Sequence, residues 1–359
     1  MKIFFVIKSL HTAGGTERAT VVIANELAAR QHEIAIVCLA NEGKSFFETH
    51  QAIKFHYLHP EPDTRFSLIR DISRRRKLKR LYNTERPDII IIVGSGRSIL
   101  NLPAAKGYTN ITWEHFNANV NWHLMHPISR KLAVMFSDKV VTLTNQDVEN
   151  YKRKFGAKNA VCIPNPITID SSTKSPLTEK RVLAVGRLVN QKGFDLLIDA
   201  WSKVKNRENG WKLRIIGSGG MLPLLSTKIE DLNLTDSIEL IPTTNNIITH
   251  YEASSLYVMS SRYEGLPLVL IEAMAMGLPI VSFDCETGPR DIIENNVTGK
   301  LVPHLDIDRL ASELDNLMSD NEKRKLFSEN SIKRAESFKI KVIADKWDNL
   351  FSELKPPKQ

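Results

Sequence analysis

The feature that most constrains this chain is a succession of short, unbroken apolar runs, each followed by a stretch with helical spacing. IFFVI (3–7) leads into a glycine-containing turn and then TERATVVIANELAAR, and IAIVCLA (34–40), DIIIIVG (88–94) and SDKVVTLT (137–144) repeat the pattern. The runs are continuous rather than alternating, as expected of strands buried on both faces. Strand and helix in repetition imply a parallel, doubly wound sheet. Residues 163–178, IPNPITIDSSTKSPLT, hold three prolines and several Ser/Thr and read as a linker. The alternation then restarts with RVLAVGR (181–187), LRIIG (213–217), IELI (238–241), LYVMS (256–260) and PIVSF (279–283), and 306–354 reads as helical throughout. At 359 residues the chain is long enough for two cores. The expected division is 1–165, 178–335 and a C-terminal helical segment 336–359 packing back on the first domain.

Several function classes are disfavoured. No apolar run approaches the roughly 18–20 residues that cross a bilayer. MKIFFVIKSL has too short an apolar core for a secretory leader and reads as a first strand. Cys38, Cys162 and Cys285 are far apart and odd in number, which suits reduced thiols rather than a disulfide or zinc site. The net charge of +8 is uneven: residues 1–164 hold 24 Lys/Arg against 14 Asp/Glu. Much of the excess lies in RFSLIRDISRRRKLKRLYNTER (65–86), with nine basic residues against two acidic. Such a bias points to an anionic partner. Nucleic acid is disfavoured, because the segment lacks the aromatic interleaving of single-strand binders and any helix-turn-helix or zinc signature.

The chemistry concentrates in SRYEGLPLVLIEAMAMGLPIVSFDCETGPRDIIENNVTG (261–299). Pro267 suits the first position of a helix, where its missing N–H is harmless. Glu264 then lies on the loop before it, and Glu272 about 7–8 Å along the axis. A helix N-terminus favours anions. A plainer reading makes Glu264 a helix-entry acid and Glu272 a solvated residue.

This stretch resembles the donor-site signature of retaining glycosyltransferases of the GT-B fold, family 4 (group 1) type: two glutamates separated by seven residues, an Ala-Met-rich helix, Gly-x-Pro-Ile-Val and a late Gly. VGRLVNQKGFDLLIDA, with Arg187 and Lys192, is similar to the second signature of that family, and HTAGGTER, with Gly14 and Gly15, to the third. The resemblance implies a GT-B architecture, two Rossmann-like doubly wound parallel-sheet domains facing a central cleft. It assigns Gly14, Gly15, Arg187 and Lys192 to the donor diphosphate, and Gly265, Leu266 and Pro267 to the sugar–phosphate loop. Glu272 falls on the ribose, and His115 (in WEHFN) and Glu264 on the donor sugar as catalytic positions. Gly217 and Gly219 of IIGSGG form a candidate nucleotide-flanking loop, and His11 is a weaker candidate. One departure is Pro-Thr-Thr (242–244), where the family often has a glycine.

The implied activity is a retaining, metal-independent hexosyltransferase. It moves a hexose or N-acetylhexosamine from a nucleoside-diphosphate sugar, UDP favoured, to a polyprenyl-diphosphate-linked glycan in bacterial O-antigen, capsule or exopolysaccharide assembly. Such an enzyme works at the cytoplasmic face of the inner membrane. Arg70, Arg74, Arg75, Arg76, Lys77, Lys79 and Arg80 form the candidate patch for acceptor phosphate or anionic membrane. No cofactor is expected. Asp306-Ile307-Asp308 resembles a metal motif of another glycosyltransferase fold, but its place before a helical pattern reads as an N-cap. The alternatives are another GT-B enzyme such as a sugar-nucleotide epimerase, or a basic protein binding nucleic acid or anionic lipid.

Overall fold

The computed structural model describes residues 1–12, 14–40, 44–58, 67–121, 125–169 and 172–355; side chains at 67–71, 97 and 100 are not among those described. The chain divides into two compact units, Met1–Thr168 with Ile340–Gln359, and Ile169–Lys339.

The first unit is built on seven parallel strands: β1 (Lys2–Ile7), β2 (Glu33–Cys38), β3 (Lys54–Tyr57), β4 (Ile89–Val93), β5 (Thr109–Trp113), β6 (Lys139–Thr142) and β7 (Ala160–Cys162). Their order is β3-β2-β1-β4-β5-β6-β7. Its helices are α1 (Gly15–Ala29), α2 (Ser67–Glu85), α3 (Ser98–Ala104), α4 (His126–Phe136) and α5 (Asn145–Phe155). β1 and β4 are the innermost pair, with Phe4 level with Ala35 on one side and Ile90 on the other. Residues on both faces are therefore buried, which is why the runs are apolar without alternation. Phe4, Val6, Ile90 and Ile92 pack on Leu78 and Tyr82 of α2 and Leu102 of α3. The opposite parity carries Phe5, whose ring lies 6.5 Å from Trp113.

The second unit repeats the plan with six parallel strands: β8 (Arg181–Val185), β9 (Lys212–Ile216), β10 (Ile238–Ile241), β11 (Leu256–Met259), β12 (Ile280–Phe283) and β13 (Gly299–Val302), ordered β10-β9-β8-β11-β12-β13. Its helices are α6 (Phe194–Lys203), α7 (Leu222–Asp231), α8 (Ile247–Glu252), α9 (Leu268–Ala275), α10 (Pro289–Ile292), α11 (Ile307–Ser319) and α12 (Asn321–Ala335). Leu197 and Trp201 of α6 and Leu310 and Leu314 of α11 close the core over β8, β11 and β12. Each such large apolar side chain contributes about 1.5–3 kcal/mol by leaving water. Asp306 caps α11, its Oδ1 accepting from the Arg309 amide at 2.9 Å, as its position before the helical pattern predicts.

The last helix, α13 (Ile340–Leu354), belongs to the first unit. Trp347 packs edge-on to Trp113 at 5.1 Å, and Arg30 of α1 bonds Asp345 at 2.6 Å and Asp348 at 2.8 Å. In each sheet the order reverses between two central strands, β1/β4 and β8/β11. Ligands of doubly wound folds bind beyond the carboxyl ends of such a pair.

Candidate donor site

In the second unit, the loops leaving β8 and β11 meet at the switch point. The β8 loop carries Arg187 and Lys192, and the β11 loop carries Ser261 and Glu264. Adjacent strands thereby unite residues 72 apart: Lys192 Nζ donates to Glu264 Oε1 at 2.6 Å, and Ser261 Oγ donates to the same oxygen at 2.6 Å. Glu264 is 6% exposed, and its Oε2 has no hydrogen bond among the described residues. Arg187 is exposed and makes no ion pair among them. One cation is thus fixed by a carboxylate and a second is available to an incoming anion.

The two loops are stitched by groups the sequence did not single out. Arg262 forms a two-pronged ion pair with Asp195, at 2.8 and 2.6 Å, and bonds the Asn190 carbonyl at 2.7 Å. That guanidinium holds the Asp195 carboxyl below the usual carboxylate range. Gln191 Nε2 donates to the Tyr263 carbonyl at 3.0 Å. Gly193 lies at φ +61°, and a Cβ there would stand 2.1 Å from the Ser260 carbonyl oxygen, so a side chain would force the loops apart.

Pro267 is not the first helical residue. With ψ 107° it is the N-cap, and α9 begins at Leu268, since the loop from Gly265 must still be extended there. Leu266 is buried. Glu272 is not a solvated helix residue. It is 2% exposed and accepts from the Tyr251 hydroxyl at 3.0 Å. Tyr251 sits on α8, an element without a sequence signal because it is only six residues long. Gly217 and Gly219 follow β9, and each has a packing role. Added Cβ atoms would lie 1.9 Å from the Gly186 oxygen and 2.3 Å from the Leu188 oxygen, where the β8 and β9 loops join through Leu188 N–H to Ser218 O at 3.0 Å.

In the first unit, Gly14 is the N-cap of α1 and Gly15 its first residue. Glu17 reaches back to Gly14: a Cβ there would touch its carboxylate at 2.1 Å. His115, beyond the end of β5, is 8% exposed, and its Nε2 is buried without a hydrogen-bond partner among the described residues. Burial pushes its pKa down to about 4, so the ring is neutral near pH 7.

Beneath His115 lies a charge network that sequence reading missed. Glu114 Oε2 accepts from Tyr151 at 2.8 Å, from Arg130 Nε at 3.4 Å and from the Ser95 hydroxyl, while Oε1 accepts the His115 and Phe116 amides at 3.0 and 3.1 Å. Arg130, 1% exposed, also bonds the carbonyls of Asn117, Ala118 and Val120 at 3.0, 3.0 and 3.2 Å. Asp147 Oδ1 accepts the Ala118 amide at 3.1 Å, and burial raises its pKa to about 6. No local motif announces this network, because its members come from the turn after β4, the end of β5, α4 and α5.

The basic segment forms α2. Arg65 lies outside the described residues, as does the side chain of Arg70. Arg75, Arg76, Lys79 and Arg80 are exposed, and Arg74 and Lys77 half-buried. No helix among the described residues is long and apolar enough to cross a membrane, and no cluster of three His, Cys, Asp or Glu side chains suited to a metal occurs among them.

Two Rossmann-like units, the second with cations and acids converging at its switch point, define the GT-B class. Comparison with known proteins gives the family. Residues 167–334 match Glycosyl transferases group 1, and residues 13–171 match Glycosyltransferase Family 4. An uncharacterized glycosyltransferase of Haemophilus influenzae is 33% identical over 97% of this chain and 99% of its own. The amylovoran biosynthesis glycosyltransferase AmsD of Erwinia amylovora is 29% identical (98% and 99%). An α-1,4-N-acetyl-D-galactosaminyltransferase of Campylobacter jejuni, whose name gives an undecaprenol-diphosphate-linked glycan, is 29% identical (99% and 99%). Among solved structures, HepE of Anabaena in complex with UDP aligns at TM-score 0.82 with 18% identity, over 98% of this chain and 100% of that one. The chain belongs to the group 1, family 4 glycosyltransferases, and its relatives include enzymes of polysaccharide and glycan biosynthesis.

Proposed function

We propose that this enzyme transfers a hexose or N-acetylhexosamine, with retention, from a UDP-sugar to a polyprenyl-diphosphate-linked glycan in bacterial surface-polysaccharide assembly. The observation that carries the reading is the arrangement at β8/β11: Lys192 held at 2.6 Å from Glu264, with exposed Arg187 on the same loop. Negative charge develops on the leaving diphosphate, and two cations placed there stabilise it without a metal ion. Glu272, oriented by Tyr251, accepts from the ribose hydroxyls. Glu264 Oε2 contacts the donor sugar, and the neutral His115 of the first unit acts through a hydrogen bond rather than a charge. The UDP carrier and lipid-linked acceptor are supported by the names of HepE's ligand and the Campylobacter relative's substrate. The basic face of α2 meets acceptor phosphate or the anionic inner leaflet.

The reaction breaks the bond from the anomeric carbon to the diphosphate oxygen and forms one to the acceptor oxygen on the same face. The departing phosphate takes the acceptor proton, so no enzyme nucleophile is needed. Incubation with UDP-sugars and a polyprenyl-diphosphate glycan, followed by NMR of the new linkage, tests this. The expected product keeps the donor's anomeric configuration and forms in EDTA. An inverted product, a metal requirement, or a sugar trapped covalently on Glu264 contradicts it.

A further inference from the structure

β8 and β11 are the pair at which the second unit's strand order reverses, and they part before β8 ends. β11 is in register with β8 only at Leu256–Val182 and Tyr257–Leu183. On the other side β9 stays paired with β8 as far as Val185, and the Gly186 amide still donates to the Ile216 carbonyl at 3.0 Å. Val185 therefore has no register partner on β11. One side chain fills that place. The Tyr257 hydroxyl, from β11 itself, accepts from the Val185 amide at 3.3 Å and donates to the Val185 carbonyl at 3.3 Å. Tyr257 is fully buried. Burial first, and then the Glu272 and Glu264 carboxylates, hold its pKa well above the ordinary tyrosine value, so the hydroxyl stays protonated and keeps its donor role.

Two routes lead from this side chain into the donor site. Along the chain, Val185 is followed by Gly186 and Arg187, and the stem of Lys192 lies on Gly186: a Cβ there would meet Lys192 Cγ and Cδ at 3.3 Å. Lys192 then reaches Glu264 at 2.6 Å. Across the ring, Tyr257 stacks on Tyr251 with centroids 6.1 Å apart and planes at 28°, and Tyr251 donates to Glu272 at 3.0 Å. Packing alone asks for no hydroxyl here, since phenylalanine would fill the same space. Without it, both backbone groups of Val185 lose their bonds at the point where the cation-bearing loop leaves the sheet.

We infer that Tyr257 is a positioning residue of the donor site. Its hydroxyl closes the gap where β8 and β11 part and so fixes the loop that carries Arg187 and Lys192, while its ring backs the Tyr251–Glu272 pair. The inference deepens the proposed transfer and rests on that reading for its ligand, a nucleoside diphosphate.

The test is Tyr257→Phe, which keeps the ring and its stack and removes only the hydroxyl. The full chain is titrated calorimetrically with UDP and with UMP, and amide exchange along β8 is followed by NMR. UDP affinity is expected to fall about fivefold and UMP affinity less than about twofold, because the β8 loop addresses the second phosphate while the ribose contact through Tyr251 and Glu272 is kept. Exchange at the Val185 amide is expected to rise at least about fivefold, with Leu183, still in register with β11, protected as in wild type. Tyr257→Leu, which removes the ring as well, is expected to weaken UMP too. A folded Tyr257→Phe with wild-type UDP affinity, whatever its melting temperature, overturns the inference. So does an equal loss for UDP and UMP, which marks a role in stability alone. A Val185 amide that exchanges freely in wild type overturns it without any variant. Wild type that binds neither UDP nor UMP sinks the proposed donor site instead, and exchange at Val185 then decides the tie through the hydroxyl by itself.

Discussion

Both units place a buried glutamate beyond a central strand, Glu114 after β5 and Glu264 after β11, yet their surroundings differ. Glu114 takes five hydrogen bonds from Ser95, Tyr151, Arg130 and two amides, using both oxygens. Glu264 takes its two side-chain bonds on one oxygen. The arginines follow suit: Arg130 is buried among carbonyls, whereas Arg187 is exposed without an ion pair among the described residues. An acid whose acceptor capacity is consumed inside the fold holds structure, and one that is half satisfied has capacity left for a ligand. The first unit's network therefore shapes the loop that carries His115, and the second unit's site keeps acceptor capacity for a ligand.

The sharpest break of this comparison is Arg130→Met. It leaves Glu114 buried and uncompensated, at a cost of about 3–5 kcal/mol in urea unfolding. Little loss would mean that Glu114 is not held as a structural charge.

The next effect comes from two groups with opposed titrations, His115 on the loop after β5 and Asp147 of α5, which accepts that loop's Ala118 amide. His115 has its pKa lowered to about 4, so between pH 6.5 and 4 the unfolded chain takes up a proton that the native ring refuses, and stability falls as pH falls. Asp147 has its pKa raised to about 6, so between pH 6 and 3.8 the native state holds the extra proton, and stability rises as pH falls. The two nearly offset in the native protein. Asp147→Asn is expected to uncover the His115 effect, an additional loss of up to about 3 kcal/mol between pH 6.5 and 4. A variant with the wild-type pH–stability curve would contradict the assignment.

Arg187→Ala sharpens the contrast from the other side. The expected loss is about 1.5–3 kcal/mol in diphosphate binding, with no change in thermal unfolding because no ion-pair partner among the described residues is orphaned. Destabilisation without loss of nucleotide affinity would mean the two arginines are not opposites. The smallest effect is that of Tyr251→Phe, which removes one donor to Glu272 and is expected to weaken UDP binding by about 1 kcal/mol. Unchanged affinity would detach Tyr251 from the site.

The sequence revealed the central strands and the donor signatures for the same reason: both are local. IFFVI, IIIIV and LYVM are buried on two faces and read as apolar runs. β3 (KFHY), β7 (AVC) and β13 (GKLV) lie at sheet edges, where partial exposure permits mixed residues, and they carry no such signal. Glu264 and Glu272 are visible by spacing, but their partners are not. Lys192 stands out by its own motif, and only the juxtaposition of β8 and β11 unites it with Glu264 across 72 residues. Tyr251, Asp195, Arg262 and the Glu114–Arg130 network have no short motif, since each contact depends on chain segments brought together by the sheet.

The most direct test of the donor-site assignment is calorimetric titration with UDP, GDP, ADP and CMP, with and without EDTA, of the native protein, Glu272→Ala and Arg187→Ala. UDP is expected to bind, EDTA to leave its affinity unchanged, and both substitutions to weaken it strongly. Binding that requires a divalent metal, or that survives undiminished in both variants, would contradict the assignment.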